Sequence, residues 1–198
     1  VLTDHGIPGS EAMISNTVLI PLIRFLAKHG GTFQNEAALR QSIFWLHHAL
    51  IWRWYSAQED TKLEDDLSTI EKNHSPWLHL IDKIKSQNGR LNLQIEPSDL
   101  EGAGSSSAFF NLFYIMLRQR QAKDWFNGIS LSAISDSRFT IDRHHIFPKA
   151  LLLRNGYKEE REHDYRLINE IANLAFITDT TNRQISDKEP AVYFPAVN

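Results

Sequence analysis

One short run does most to limit what this chain can become: Asp142-Arg143-His144-His145-Ile146-Phe147-Pro148. A β-prone stretch beginning at Phe139-Thr140-Ile141 ends in two histidines, and a helix is expected shortly after, from about Lys149 to Arg154. Adjacent side chains on a strand point to opposite faces. The two imidazoles therefore meet different surroundings unless the chain bends, and Pro148 with the helix behind it is consistent with a bend. Further on, Asn173-Leu-Ala-Phe-Ile-Thr178 reads as a second strand. Asp179 or Thr180 can cap a last helical turn that carries Asn182.

The first two thirds of the chain read as helix. Ser10, after Pro8-Gly9, is a plausible cap for a helix running to about Lys28, which Pro21 would kink and Gly30-Gly31 would stop. Asn35 can cap a longer helix from Glu36 to about Tyr55. Leu39, Ile43, Leu46 and Leu50 form its buried stripe at helical spacing, widened by Trp45, Trp52 and Trp54. A shorter amphipathic helix starts near Thr61, and Ser75-Pro76 opens another over about Trp77 to Ser86. The loop Gly102 to Ser107 runs into a helix from about Ala108 to Gln121. Character changes near Asn127-Gly128, where short segments and a charged stretch (Lys158 to Arg166) take over. The expected architecture is mainly α: a helical platform over 1–130, with a small second part over 131–198 packed against it.

A length of 198 residues suits one large domain or a medium and a small one, and 5 Trp and 11 Phe can fill a large core. The chain has no cysteine. That excludes disulfides and thiolate metal sites, and it suits a reducing cytoplasm. No run approaches the roughly 18–20 apolar residues of a membrane helix. The chain opens at Val1 without a methionine and reads as a fragment of a longer protein. A net charge of -3 is unusual for a nucleic-acid binder. From Arg138 onward, nine Lys/Arg balance nine Asp/Glu. Any basic surface must come from folding, from a bound metal, or from outside this chain.

An imidazole pair followed by two asparagines matches the needs of phosphodiester hydrolysis. One histidine can hold a divalent ion, and the other can take a proton from water, since its ordinary pKa is about 6.5. Asn182 can return to the ion as an oxygen ligand. Asn173 can fix either the backbone or the orientation of His145 through its amide.

These segments resemble a known family. The pattern His-His-Ile-Phe-Pro, then Asn-Leu-Ala-Phe-Ile-Thr, then Thr-Thr-Asn-Arg, is similar to HNH nucleases of the His-Me finger (ββα-metal) superfamily. Ile168 to Thr178 and Asn182 to Pro190 narrow the resemblance to the C-terminal nuclease module of GmrSD-type, modification-dependent restriction endonucleases. Arg53-Trp54-Tyr55-Ser56 and Leu63 to Leu67 resemble the region those proteins carry before the nuclease motif. The resemblance implies a ββα-metal (HNH) finger over 131–198. It implies His145 as general base, Asn173 as the residue holding the base's loop, and His144 and Asn182 as metal ligands. It implies one divalent ion, Mg²⁺ or alternatively Mn²⁺, and DNA as substrate in bacterial defence against phage. It also implies a nucleotide-hydrolysing, DNA-sensing N-terminal half outside this chain. Arg183 and Lys188 flank the expected site and are candidates for gripping the DNA backbone.

Other features read more plainly. His47-His48 lie within a helix, roughly 100° apart around its axis, and belong to packing or surface. His163 sits in a solvated charge run. Arg118, Arg120 and Lys123 close a helix, where cations suit the dipole. A structural zinc site needs four closed ligands, and the pattern supplies two. The competing functional expectation is a non-catalytic, nuclease-like module for DNA binding or protein assembly.

Overall fold

The computed structural model describes residues 2–5, 7, 15–136 and 140–197, without the side chains of 135 and 136. These fall into two compact units, one within 9–95 and one combining 1–8 with 96–198.

Among its described residues the first unit carries the α-helices α1 (Leu19–Lys28), α2 (Glu36–Ile51), α3 (Glu59–Lys72) and α4 (Pro76–Gln87). Ser10, expected to cap α1, lies outside the described residues. Pro21 does not kink α1, because the helix starts at Leu19 and the proline falls in its first turn. There its missing N–H has no intrahelical partner to lose. Asn35 caps α2 as expected, its side chain accepting from Ala38 N at 2.9 Å. The helix stops at Ile51 instead of Tyr55, and Arg53 takes a left-handed φ of 47°. The cause lies in α3. Asp66 is fully buried there, and Trp54 Nε1 (2.8 Å) and Tyr55 OH (2.6 Å) both turn inward to bond its carboxylate. Lys83 of α4 supplies the countercharge at 3.0 Å. Trp77 of α4 is fully enclosed, with its ring 5.0 Å from Phe25 and 5.4 Å from Trp45, so α1, α2 and α4 share one aromatic core.

The second unit carries α5 (Pro97–Leu100), α6 (Ala108–Gln119), a 3-10 turn over Leu131–Asp136, β1 (Ile141–His145), α7 (Lys149–Arg154), α8 (Glu162–Asn169), β2 (Leu174–Thr178), α9 (Asp179–Ile185) and α10 (Pro190–Tyr193). Helix α6 thus shares a unit with both strands. The two strands pair antiparallel, with Asp142 opposite Ile177, His144 opposite Ala175 and His145 opposite Leu174. Directly opposed residues share a face, so the sheet sorts its side chains in twos. Leu174 and Phe176 join Phe110, Leu131 and Ile134 in one core, where Phe176 lies 4.4 Å from the Phe110 ring. Ile177 joins Ile185 and Tyr193 in another. Every residue of β2 is buried, which is why that strand reads as a continuous apolar run. Each large apolar side chain so enclosed contributes roughly 1.5–3 kcal/mol.

The charged stretch from Lys158 contains α8, whose apolar side is narrow. Ile168 is its one fully enclosed residue. Thr178, instead of Asp179 or Thr180, caps α9 by accepting from Thr181 N at 3.2 Å. Among the described residues no helix is long and apolar enough to cross a membrane.

Candidate functional site

Strand alternation places Asp142 and His144 on the face that meets α9, and Asn182 on that helix reaches both. Asn182 Nδ2 donates to Asp142 Oδ2 at 2.9 Å. Its amide oxygen therefore faces His144, whose Nδ1 lies 2.9 Å away. An amide oxygen only accepts, so His144 Nδ1 carries the ring proton and donates to it. The result is a directed chain: His144 to Asn182 to Asp142.

His144 is buried, and its Nε2 has no hydrogen-bond partner among the described residues. Trp125 and Tyr193 stand edge-on to its ring, each 5.8 Å away, and stack on one another at 6.1 Å. Burial holds the His144 pKa below the ordinary value. The bond to Asn182 opposes that shift, and a charge on His145 would add to it. Burial thus favours the neutral form of the imidazole. Tyr193 closes the wall by donating from its hydroxyl to Ile146 O at 2.6 Å, and burial pushes its pKa up to about 12.

His145, the last residue of β1, does not join that chain. It is half-buried, and its Nε2 lies 3.1 Å from Asn169 Oδ1 at the end of α8. Asn173 binds backbone. Its carbonyl accepts from Ile146 N at 2.9 Å, its Oδ1 accepts from Phe147 N at 2.8 Å, and its Nδ2 donates to Ile168 O at 2.8 Å and to Phe147 O at 3.3 Å. Of the two tasks open to Asn173 in the sequence, it performs the backbone one. Asn169 holds the ring.

Asp124 is 1% exposed and anchors the junction that carries Asn182. Thr178 N (2.6 Å) and Thr181 Oγ1 (2.6 Å) donate to it from the start of α9, and Phe126 N (3.1 Å) and Asn127 N (3.0 Å) donate from its own loop. Burial alone would raise the Asp124 pKa. The four hydrogen bonds outweigh burial and hold it below the usual carboxylate value.

Arg183 and Lys188 are exposed. Arg183 pairs with Asp179 one turn back at 2.7 Å, and Lys188 donates to Gln184 O at 2.7 Å. Both sit on or just beyond α9, one and six positions after Asn182, with their cationic ends at the surface.

Sequence reasoning therefore passed over three polar residues. Asp142 carried a usable signal, since it stands two residues before His144 and must share its strand face. Asn169 and Asp124 carried none, because their partners lie 24 and 57 positions away.

Asp142, His144 and Asn182 offer a carboxylate, an imidazole nitrogen and an amide oxygen. Such a set suits a hard or borderline divalent cation. A neutral histidine has one lone pair, here on Nε2, so giving Nδ1 to an ion shared with Asn182 requires the ring proton to move. Among the described residues no three His, Cys, Asp or Glu side chains gather, so no closed four-ligand zinc site of those residues forms there.

A mainly helical protein with a small nitrogen- and oxygen-donor site on a two-stranded sheet is the class that fold and site define. The chain belongs to the family of GmrSD restriction endonuclease C-terminal domains, whose model matches residues 91–195, just over half of its length. It is also 25% identical over 156 residues to the uncharacterized protein MJ0686 of Methanocaldococcus jannaschii. That match covers 72% of this chain and 24% of the relative, so the chain spans about a quarter of the relative's length. No solved structure gives a significant match.

Proposed function

We propose that β1, β2 and α9 form a ββα-metal (HNH) finger that cleaves DNA as a metal-dependent endonuclease. The observation that carries this reading is the directed His144–Asn182–Asp142 chain beside a separately held His145 at the strand end. The family description supports endonuclease chemistry.

In this reading His144 and Asn182 would hold one divalent ion, Mg²⁺ or Mn²⁺, with Asp142 as a third donor, the ion displacing the proton that His144 Nδ1 shares with the Asn182 amide oxygen. When bound, the ion supplies charge neutralisation at the phosphate and at the leaving oxygen. His145 takes a proton from water as the water oxygen bonds to phosphorus, and the phosphorus–oxygen bond to the leaving strand breaks. Asn173 keeps the loop after His145 in place through its backbone bonds. Arg183 and Lys188 offer positive charge to the DNA backbone, which this chain needs locally because its net charge is -3. The chain acts in the cytoplasm as the nuclease part of a modification-dependent restriction system against phage. Its partner is a nucleotide-hydrolysing, DNA-sensing half, and the much longer relative supports a multi-part protein.

The test is nicking of supercoiled plasmid by this chain with Mg²⁺ or Mn²⁺ against EDTA, beside His145→Ala. Metal-dependent nicking that disappears in a folded His145→Ala protein is the expected result. Undiminished nicking by that variant would sink the assignment. Loss of nothing but a little stability in both His144→Ala and His145→Ala would point to a non-catalytic binding module.

A further inference from the structure

His145 is held by a hydrogen bond whose direction the neighbouring atoms decide. Asn169 Nδ2 donates to Tyr165 O at 2.9 Å, one turn back on α8. Its amide oxygen is therefore the atom aimed at the His145 ring, 3.1 Å from Nε2. That oxygen only accepts, so the bond requires a proton on Nε2. In the neutral ring this leaves the lone pair on Nδ1.

The position of Asn169 is itself fixed. The loop before α6 grips the end of α8 from both sides: Gly102 N donates to Glu170 Oε1 at 3.0 Å, and Ile171 N donates to Ala103 O at 2.7 Å. Gly104 packs so closely that a Cβ there would stand 3.1 Å from the Asn169 carbonyl oxygen. The amide is thus delivered to the ring from a pinned helix end.

We infer that Asn169 is the positioning residue for His145: it locks the ring and its tautomer, so that Nδ1 is the atom presented to the attacking water. This rests on the reading of His145 as the base. Asn173, the residue of the motif, has both ends of its amide committed to backbone and leaves this task to Asn169.

The experiment compares the full chain with Asn169→Ala and Asn169→Asp. The Asp variant keeps an acceptor for Nε2–H but loses the bond to Tyr165, so it separates ring positioning from support of the helix end. Long-range proton–nitrogen correlation on ¹⁵N-labelled protein, at alkaline pH, reads the His145 ring, with assignment by His145→Gln. Wild type and Asn169→Asp should show a protected Nε2–H. Asn169→Ala should lose that signal and lower kcat for plasmid nicking about tenfold or more, with KM within about twofold. A ring signal that persists in Asn169→Ala overturns the inference, as does a lost signal with unchanged kcat. Asn169→Asp behaving like Asn169→Ala also overturns it, since the helix end would then be the cause. If wild type fails to nick DNA with either metal, the nuclease reading falls, and the ring signal alone decides whether Asn169 fixes His145.

Discussion

Removing the Asp124 carboxylate should loosen the whole α9 side of the site. Of its four bonds, those from Phe126 N and Asn127 N lie at a partly open loop, where water can replace the acceptor. Those from Thr178 N and Thr181 Oγ1 are buried, both at 2.6 Å. Leaving a buried donor unsatisfied costs roughly 1–3 kcal/mol. Two such donors make Asp124→Ala about 4 kcal/mol less stable, a shift of about 10 °C or more for a chain of this size. Asp124→Asn retains one oxygen but turns an N–H toward a donor, so about half that loss is expected. The pH dependence has a definite sign. Because the folded pKa lies below the ordinary 3.8, this contribution is fully present above about pH 4 and is lost as pH falls through the folded value. Urea melts of wild type and both variants, repeated between pH 7 and pH 3, check this. A loss under about 1 kcal/mol at pH 7 for Asp124→Ala would refute the reasoning, because the donors would then have found other partners.

Three further outcomes are expected. His48 is buried, its Nδ1 accepts from Trp52 Nε1 at 3.2 Å, and burial, with a smaller effect of charge on His47, lowers its pKa to about 4. Stability should be full above about pH 6.5 and fall by about 3 kcal/mol as pH drops to about 4. His48→Gln should flatten that limb, and an unchanged acid limb in melts of the variant would contradict it. Asn173→Ala removes the clasp on Phe147 and Ile168, so it should cost about 2–4 kcal/mol in denaturant melts and reduce nicking with it. Under the metal-site proposal, Mg²⁺ at about 100 times its Kd should stabilise wild type by about 2.7 kcal/mol. Asp142→Ala should lose most of that metal-dependent shift in calorimetry, and an equal shift in both proteins would remove Asp142 from the ligand set.

The local elements were legible because neighbours along the chain decide them. Asn35 and the apolar spacing behind it announced α2, and Asn155-Gly156 announced the end of α7, where Gly156 adopts a φ of 95°. The end of α2 was misjudged, since helical spacing continues through Trp54 while a buried carboxylate twelve positions later pulls Trp54 and Tyr55 out of the helix. Helix α8 does not stand out in the sequence because it is short and lies in a run of charged residues, where its few apolar side chains read as part of a solvated face.

The candidate site divides in the same way. The sequence alone determined that two imidazoles stand at a strand end and face opposite ways, because alternation is a property of the strand itself. It also placed Asn173 and Asn182 on either side of the second strand. Only the tertiary structure decided the partners: Asn182 between His144 and Asp142, Asn169 against His145, and Asp124 under the junction. Those bonds join residues 24 to 57 positions apart. Which amide meets which ring depends on how β2, α8 and α9 pack, and no local propensity encodes that.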